Sequence, residues 1–508
     1  MDNSNRSKAI MKNGVVGIAS QCLIMVLSFV TRSVFLKHIG EEMLGINSTF
    51  ASVLEALSLG ELGFQSAIVF MLYKPLQEGN QERVNAIANL LKTLYRYVGI
   101  FFIVASFAVL PLLKYILKGV TVTPQTHVFF LLQTSVSVVS YFLAYPRSLL
   151  YADQKEYLTK LVDMVVTSAF AIISIITLIY VRSYGLYLVL RIGSVVCSNL
   201  VIFRYYRKQY PFVHKVPVDK ALFREAWGNT KNIFVGRIAG FLHKSIGNLV
   251  VSSFISTVTV AYYGNYSIIL TSLRTTVEST MTSMVPIIGN SLVSANTTEE
   301  KLSFFKQYSH VRYLIALIVV IPFALLIDLF IDFWVGPEYI LSSVIKYAMA
   351  ADLYIHLVHS STYEFITAAG LFREARNIDV AGAVVNAILS IIGVNLLGLP
   401  GVLLGTVVSQ MVFWIGRSNL VYQKCLDRAG GEYLKYWLRE GAYVVVFLAC
   451  LLLCKLAMGA LGLSGILGFL VGGVVCELII FAFILVVLQG VPENRFVLRA
   501  VYKKLRKN

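Results

Sequence analysis

Charge is what this chain has least of. Only 14% of its 508 residues are Asp, Glu, Lys or Arg, against about 25% in soluble domains. Acids are scarcer than bases, 27 against 44, leaving a formal charge of +17. Such a composition excludes a large hydrated surface. Cysteine is also sparse, with 6 in all. Cys22, Cys197, Cys450, Cys454 and Cys476 fall in apolar stretches; Cys450 and Cys454 share a helix face and read as small core residues. Cysteine otherwise tells little, and no Cys/His cluster with metal-ligand spacing is present. No G-x-x-x-x-G-K-[ST] is present, so no nucleotide site of the Walker type is expected. Neither H-E-x-x-H nor G-x-S-x-G occurs, and no enzyme or metal site is expected.

What is present is apolar length. The hydrophobic fraction is 57% and the mean hydropathy +0.73. About 14 stretches approach the roughly 20 residues needed to cross a bilayer as helices. They centre near Ile24, Leu57, Val104, Ser137, Ile172, Val195, Leu242, Leu270, Val319, Ile355, Ala387, Val408, Leu448 and Ile479. The expected fold class is an all-α polytopic membrane protein.

The chain also matches itself at an offset of roughly 217 residues. Tyr206-Arg207-Lys208 falls on Tyr422-Gln423-Lys424, Gly185-Leu186-Tyr187-Leu188 on Gly401-Val402-Leu403-Leu404, and Asp163 within a residue of Asp379. Gly45-Ile46-Asn47-Ser48 falls on Gly264-Asn265-Tyr266-Ser267. An even number of spans per copy keeps both copies in one orientation, related by an axis along the membrane normal, with a site expected between them near the midplane. The predicted organisation is a first six-helix lobe over 1–210, a basic linker over 211–230, a second lobe over 231–425, and a helix pair with a basic tail over 426–508.

Lys and Arg crowd the loops on one side, among them Lys8, Lys12, Lys74, Arg83, Lys92, Arg96, Arg147, Lys155, Arg204, Arg207 and Lys208, and the tail from Arg499. The positive-inside rule therefore puts both termini in the cytoplasm. The surplus charge reads as a topology signal and an attraction to anionic lipid, with no nucleic-acid partner. The first apolar run is long enough to be retained as a helix, so no removable signal peptide is expected.

Ionisable groups inside spans cost about 2.5–3.5 kcal/mol each at the bilayer centre, so each should face a cavity or a partner. The basic ones are Arg32, Arg191, Arg237, Lys244, Arg274 and Arg417. Arg237 and Lys244 stand seven apart on one helix face, and Arg274 lies mid-span in the next helix. Arg32, Arg237, Lys244 and Arg274 form a graded series of cations suited to a moving phosphate or pyrophosphate. Arg191 and Arg417 read as snorkelling or packing against loops. The acidic set is Glu55, Glu61, Asp163, Asp328, Asp332, Asp352, Glu364, Asp379 and Glu477. Glu55 corresponds to Arg274 in the repeat, so Glu55 and Glu278 are the candidate cross-lobe or coupling acids, with a local Arg274–Glu278 pair as the alternative for Arg274. Asp163 and Asp379, in matching places, read as caps or loop braces. His356 and His359 read as helix packing. Pro286, Pro322, Gly236, Gly240 and Gly247 allow kinks and close helix contact. Tyr73 to Tyr97 reads as an amphipathic connector.

The run Leu27-Ser28-Phe29-Val30-Thr31-Arg32-Ser33-Val34-Phe35-Leu36, followed by Ile39-Gly40-Glu41-Glu42-Met43-Leu44-Gly45-Ile46-Asn47, resembles the opening of bacterial polysaccharide transporters. These belong to the multidrug/oligosaccharidyl-lipid/polysaccharide exporter superfamily. The resemblance continues through Leu57 to Ile68, Leu72-Tyr73-Lys74-Pro75-Leu76 and Lys92 to Gly99. It is specific over about the first 100 residues and looser beyond. It implies two six-helix lobes around a central cavity, working by alternating access. It implies as substrate an undecaprenyl-pyrophosphate-linked oligosaccharide, flipped from the inner to the outer leaflet of the bacterial cytoplasmic membrane for capsule or exopolysaccharide assembly. A polysaccharide polymerase and glycosyltransferases are the implied protein partners. Its motifs carry over to Arg32, Glu61, Tyr73, Lys74 and Pro75, of which Arg32 alone is a substrate contact. With no cofactor expected, the energy source would be the membrane potential, H+ or Na+. The competing readings are a cation-coupled multidrug exporter, disfavoured by the basic spans and the added pair, and a lipid II flippase, which the N-terminal run disfavours.

Overall fold

A computed structural model describes residues 3–58, 64–217, 222–224, 226, 247–295, 297–427, 431–462 and 464–495. Among these, the chain is nearly all helix, with no strand. The first sixteen-residue-or-longer elements are α1 (Asn3–Ile39) and α2 (Glu41–Leu57), followed by α3 (Phe64–Glu78), α4 (Gln81–Val109), α5 (Pro124–Leu143), α6 (Tyr145–Ala152), α7 (Glu156–Tyr180) and α8 (Tyr184–Gln209). Then come α9 (Thr257–Met281), α10 (Val285–Ser294), α11 (Thr298–Trp334), α12 (Ser343–Ala368), α13 (Phe372–Leu397), α14 (Leu399–Lys424), α15 (Gly431–Leu461) and α16 (Gly465–Val486).

Ten helices among the described residues are long and apolar enough to cross a membrane. Of the other expected spans, those near Leu270 and Ile355 are α9 and α12, helices of 25 and 26 residues that carry more polar side chains. The stretch centred near Leu57 is divided, with α2 ending at Leu57 and α3 beginning at Phe64. The stretch near Leu242 lies outside the described residues, as do Gly236, Gly240 and Glu61. Outward faces are aliphatic, as at Ile172, Ile173 and Ile176 on α7 or Leu448, Leu452 and Leu456 on α15. The chain is a multi-pass membrane protein with backbone groups satisfied inside its own helices, as a bilayer demands.

Local chemistry sets the helix ends. Thr123 and Thr126 form a reciprocal capping box before α5. Asn80, Ser183 and Thr297 each accept a backbone N–H at the start of α4, α8 and α11. Tyr73 to Tyr97 is not a separate connector: α3 runs through Pro75 to Glu78, the chain turns at Gly79 (φ 68°), and α4 continues from Gln81 into its span. Pro286 stands in the first turn of α10, where a proline starts a helix, and so does not kink one; Pro322 is inside α11.

The chain divides into two compact units, Met1–Ala261 and Tyr262–Asn508. The division falls beyond the 211–230 linker, inside α9. The reason is packing: a Cβ added to Gly45 on α2 would stand 2.2 Å from the Thr257 carbonyl, so the start of α9 lies directly on α2. In the second unit α13 and α14 are pressed together through small residues. Cβ atoms added at Gly393 and Gly401 would meet each other's carbonyl oxygens at 2.4 and 2.0 Å, and one at Gly405 would meet Ser390 N at 2.9 Å. The final pair is clasped to α11 by polar groups. His310 bonds Tyr443 of α15 at 2.8 Å and Asn494 at 3.3 Å, and Tyr313 stacks on Tyr443 at 4.2 Å.

Candidate functional site

The densest polar site in the second unit runs along α12. Asp352, His356 and His359 are spaced four and three apart, so they share one face of the helix. Facing them, α9 supplies Arg274 and Glu278, again four apart. Arg274 Nη2 donates to Asp352 Oδ2, and His356 Nε2 bonds Glu278 Oε1. From α14, Gln410 donates its amide to Asp352 Oδ1 at 3.0 Å. Its carbonyl oxygen is left to accept, so His359 Nε2 is the donor in their 2.9 Å bond. The two imidazole rings stand 5.7 Å apart, edge to face. Three helices thus close one chain of groups: Arg274, Asp352, Gln410 and His359, with His356 and Glu278 alongside.

This arrangement corrects the expected pairing of Arg274. Its carboxylate partner is Asp352 in its own unit, and Glu278, one turn along α9, bonds His356. Side chains four apart on α9 face two groups also four apart on α12, and the longer-range partners take precedence over the local i,i+4 pair. Likewise His356 and His359 are members of a polar chain and not mere packing. Arg274 Nε is buried without a hydrogen-bond partner among the described residues. Chemically the site holds a charge pair in Arg274–Asp352 and a hydrogen-bonded carboxylate–imidazole couple in Glu278–His356.

Lower on the same helix is a buried ion pair. Arg312 of α11 and Glu364 of α12 have side chains only 1% and 7% exposed, and Tyr308 donates to Glu364 at 2.5 Å. Breaking such a pair by removing one partner costs about 3–5 kcal/mol. Sequence reasoning found Glu364 but passed over Arg312, which lies seven residues before Val319, the centre of the expected span, where a cation reads as interfacial. Gln410 was passed over because an amide carries no charge signal.

In the first unit, Arg32 on α1 donates to the Ala261 carbonyl at 3.0 Å. Glu55 is exposed, near the end of α2. Arg237 and Lys244 lie outside the described residues. Asp163 accepts from the two terminal guanidinium nitrogens, Nη1 and Nη2, of Arg147 on α6, at 2.6 and 2.8 Å, and Arg147 also donates to Asn199 and Ser198 of α8. In the second unit Asp379 accepts from Arg417 at 2.7 Å, and Arg417 lies against the rings of Tyr363 and Phe413. Each Asp is the eighth residue of its helix, α7 or α13. That is two turns beyond any cap, so both are braces. Arg417 is paired and only 13% exposed, which replaces the snorkelling reading. Arg191 lies against Tyr187.

No family model and no curated protein sequence matches the chain. Solved structures do. A lipid II flippase, MurJ, in an inward closed conformation is similar with a TM-score of 0.67 and 14% identity, over 93% of this chain and 98% of its own. An inward-facing multidrug resistance MATE family transporter of the MOP superfamily has a TM-score of 0.63 and 15% identity, over 79% of this chain and 95% of its own. A Vibrio cholerae MATE transporter has a TM-score of 0.54 and 13% identity, over 84% and 99%. At these identities the likeness speaks for the fold: this chain has the all-helical membrane fold common to those transporter and flippase structures.

Proposed function

We propose that the protein is a transporter that flips a polyprenyl-pyrophosphate-linked oligosaccharide from the inner to the outer leaflet of a bacterial cytoplasmic membrane, by alternating access, for surface-polysaccharide assembly. The observation that carries this reading is the extent of the likeness. The lipid flippase structure is matched over 93% of this chain and the drug transporter over 79%, a difference about the size of the last helix pair. The N-terminal resemblance, from Leu27 to Gly99, points to the polysaccharide branch. Both termini are taken as cytoplasmic on the distribution of Lys and Arg. An inside-negative potential favours outward movement of the pyrophosphate by about 2.3 kcal/mol per charge per 100 mV. Arg32, and Arg237 and Lys244, are the proposed contacts for that anion. Arg274 joins them only when it parts from Asp352. The Glu278–His356 couple supports proton coupling over Na+.

Deleting the gene tests this. Surface polysaccharide should disappear, lipid-linked units should accumulate, and resistance to cationic drugs should stay unchanged. Persistent polysaccharide with reduced dye efflux would favour drug export. The flippase named above gives a second reading, lipid II transport; depletion would then lyse cells through loss of peptidoglycan while lipid-linked polysaccharide units stayed at normal levels.

A further inference from the structure

We infer that a cavity inside the first unit is a binding site for one neutral sugar ring of the transported glycan, an inference that rests on the function proposed above. The cavity is about 370 Å³ and opens among α4, α5, α6 and α8. Its walls include Tyr95, Ser137, Ser140, Tyr141, Arg147 and Val195.

The lining follows from sequence spacing. Ser137, Ser140 and Tyr141, with Ala144 just past the helix, stand at i, i+3, i+4 and i+7, so α5 turns one face of hydroxyls and small groups toward this space. Elsewhere in the unit, Ser106 and Ser135 return their hydroxyls to the carbonyl four residues back. Ser137 and Ser140 have no hydrogen-bond partner among the described residues and face the cavity. Tyr95 and Tyr141, with ring centroids 6.3 Å apart and planes inclined by 27°, both line the cavity. At one end stands Arg147, with Asp163 binding it through both oxygens.

Three properties select the ligand. Hydroxyl-lined space among membrane helices disfavours a lipid tail, which would leave those hydroxyls without partners. The charge of Arg147 is already balanced by Asp163, so an inorganic or lipid phosphate finds no surplus cation. Two tyrosine rings, serine hydroxyls and a guanidinium around one cavity suit a pyranose, whose C–H face is apolar and whose edge carries hydroxyls. The volume is at the small end of ligand pockets, which span about 300–1,000 Å³; it admits a single ring and not a whole repeat unit. The cavity lies at the end of the unit that carries Arg96, Arg147, Lys155 and Arg204, the end the positive-inside rule assigns to the side on which the glycan is built.

The probe is a panel of methyl pyranosides (glucoside, galactoside, rhamnoside and N-acetylglucosaminide) with the purified full-length protein in detergent, read by saturation-transfer NMR. At least one glycoside should give a saturable signal. Ser137→Leu with Ser140→Leu, which fills the space with carbon, should weaken it at least tenfold. Tyr141→Phe, which keeps the ring and removes one hydroxyl, should weaken it several-fold and covers the case in which the double variant does not fold. No saturable signal for any glycoside, or a signal indifferent to both changes, overturns the site and leaves an ordinary water-filled cavity. Polysaccharide output in a deletion strain separates this from the parent reading. If the deletion leaves output normal, the export reading fails whatever binds here. If output needs the protein but is unaltered by the Ser137/Ser140 double change, the sugar site fails and the export reading stands.

Discussion

Asp163 and Asp379 match at the sequence offset and each stands eighth in its helix, yet each is held by a different arginine. In the first unit the guanidinium comes from Arg147, on the short helix α6 before the aspartate. In the second it comes from Arg417, on α14 after it. At an offset of 216 the residue matching Arg147 is Tyr363, and the residue matching Arg417 is Val201. Tyr363 is a ring against which Arg417 lies, 4.9 Å from its centroid. The carboxylate stands at the same helix position in both units, while its cation comes from a different helix in each. What the architecture requires is a neutralised acid two turns into the helix; which neighbour neutralises it is free to vary. The surroundings differ as well. The first pair is 26% and 36% exposed beside a cavity, and the second 13% and 23% exposed between two rings.

The largest effect should come from removing the acid in the drier site. Asp379→Ala leaves Arg417 enclosed without its anion, at a cost of about 2–4 kcal/mol; the melting temperature of the purified protein should fall clearly. Arg147→Ala should cost less, about 1–3 kcal/mol, since Asp163 keeps the Ser198 hydroxyl at 2.5 Å and is partly solvated. A larger loss at Arg147 than at Asp379 would reverse the comparison.

Transplanting the first arrangement into the second unit sharpens the test. Tyr363→Arg together with Arg417→Val should recover at least half the stability lost in Arg417→Val alone, because the acid regains a cation from the equivalent position. No recovery would mean that the two sites are alike in sequence place only. Lysine substitution should then discriminate more finely. Arg147 uses three nitrogens in four bonds, so Arg147→Lys should lower stability by about 1–2 kcal/mol; Arg417→Lys retains a charge for one oxygen and should lose less. The smallest effect belongs to Arg191→Ala, which removes a guanidinium 6.0 Å from the Tyr187 ring, worth about 0.5–1 kcal/mol. Chemical unfolding of each variant in one detergent would rank them all.

The sequence carried the helical class and the two aspartates, because apolar length and an offset match are one-dimensional signals. It did not carry their partners. Arg147 and Asp163 are 16 residues apart, and Arg417 and Asp379 are 38 apart; which side chains meet over those separations depends on helix rotation, which periodicity does not specify. The α12 column was half visible. Asp352, Glu364 and the two histidines could be read from their place in a span, but Gln410, a neutral link, could not. Arg274 was found as an intramembrane cation, while its partner depended on the phase of α9 against α12. Arg237 and Lys244 lie outside the described residues, so the graded series of cations rests on sequence position for those two.

The glycine crossing of α13 and α14 has a mechanical consequence. Backbones that meet through Gly393, Gly401 and Gly405 without room for a methyl group cannot slide past each other or shift by a turn. The hairpin is therefore a strut; under the alternating access proposed above it would travel as one piece, with bending left to elements such as α11 at Pro322. A covalent staple between α13 and α14 would join two parts that never separate, and turnover would continue through it.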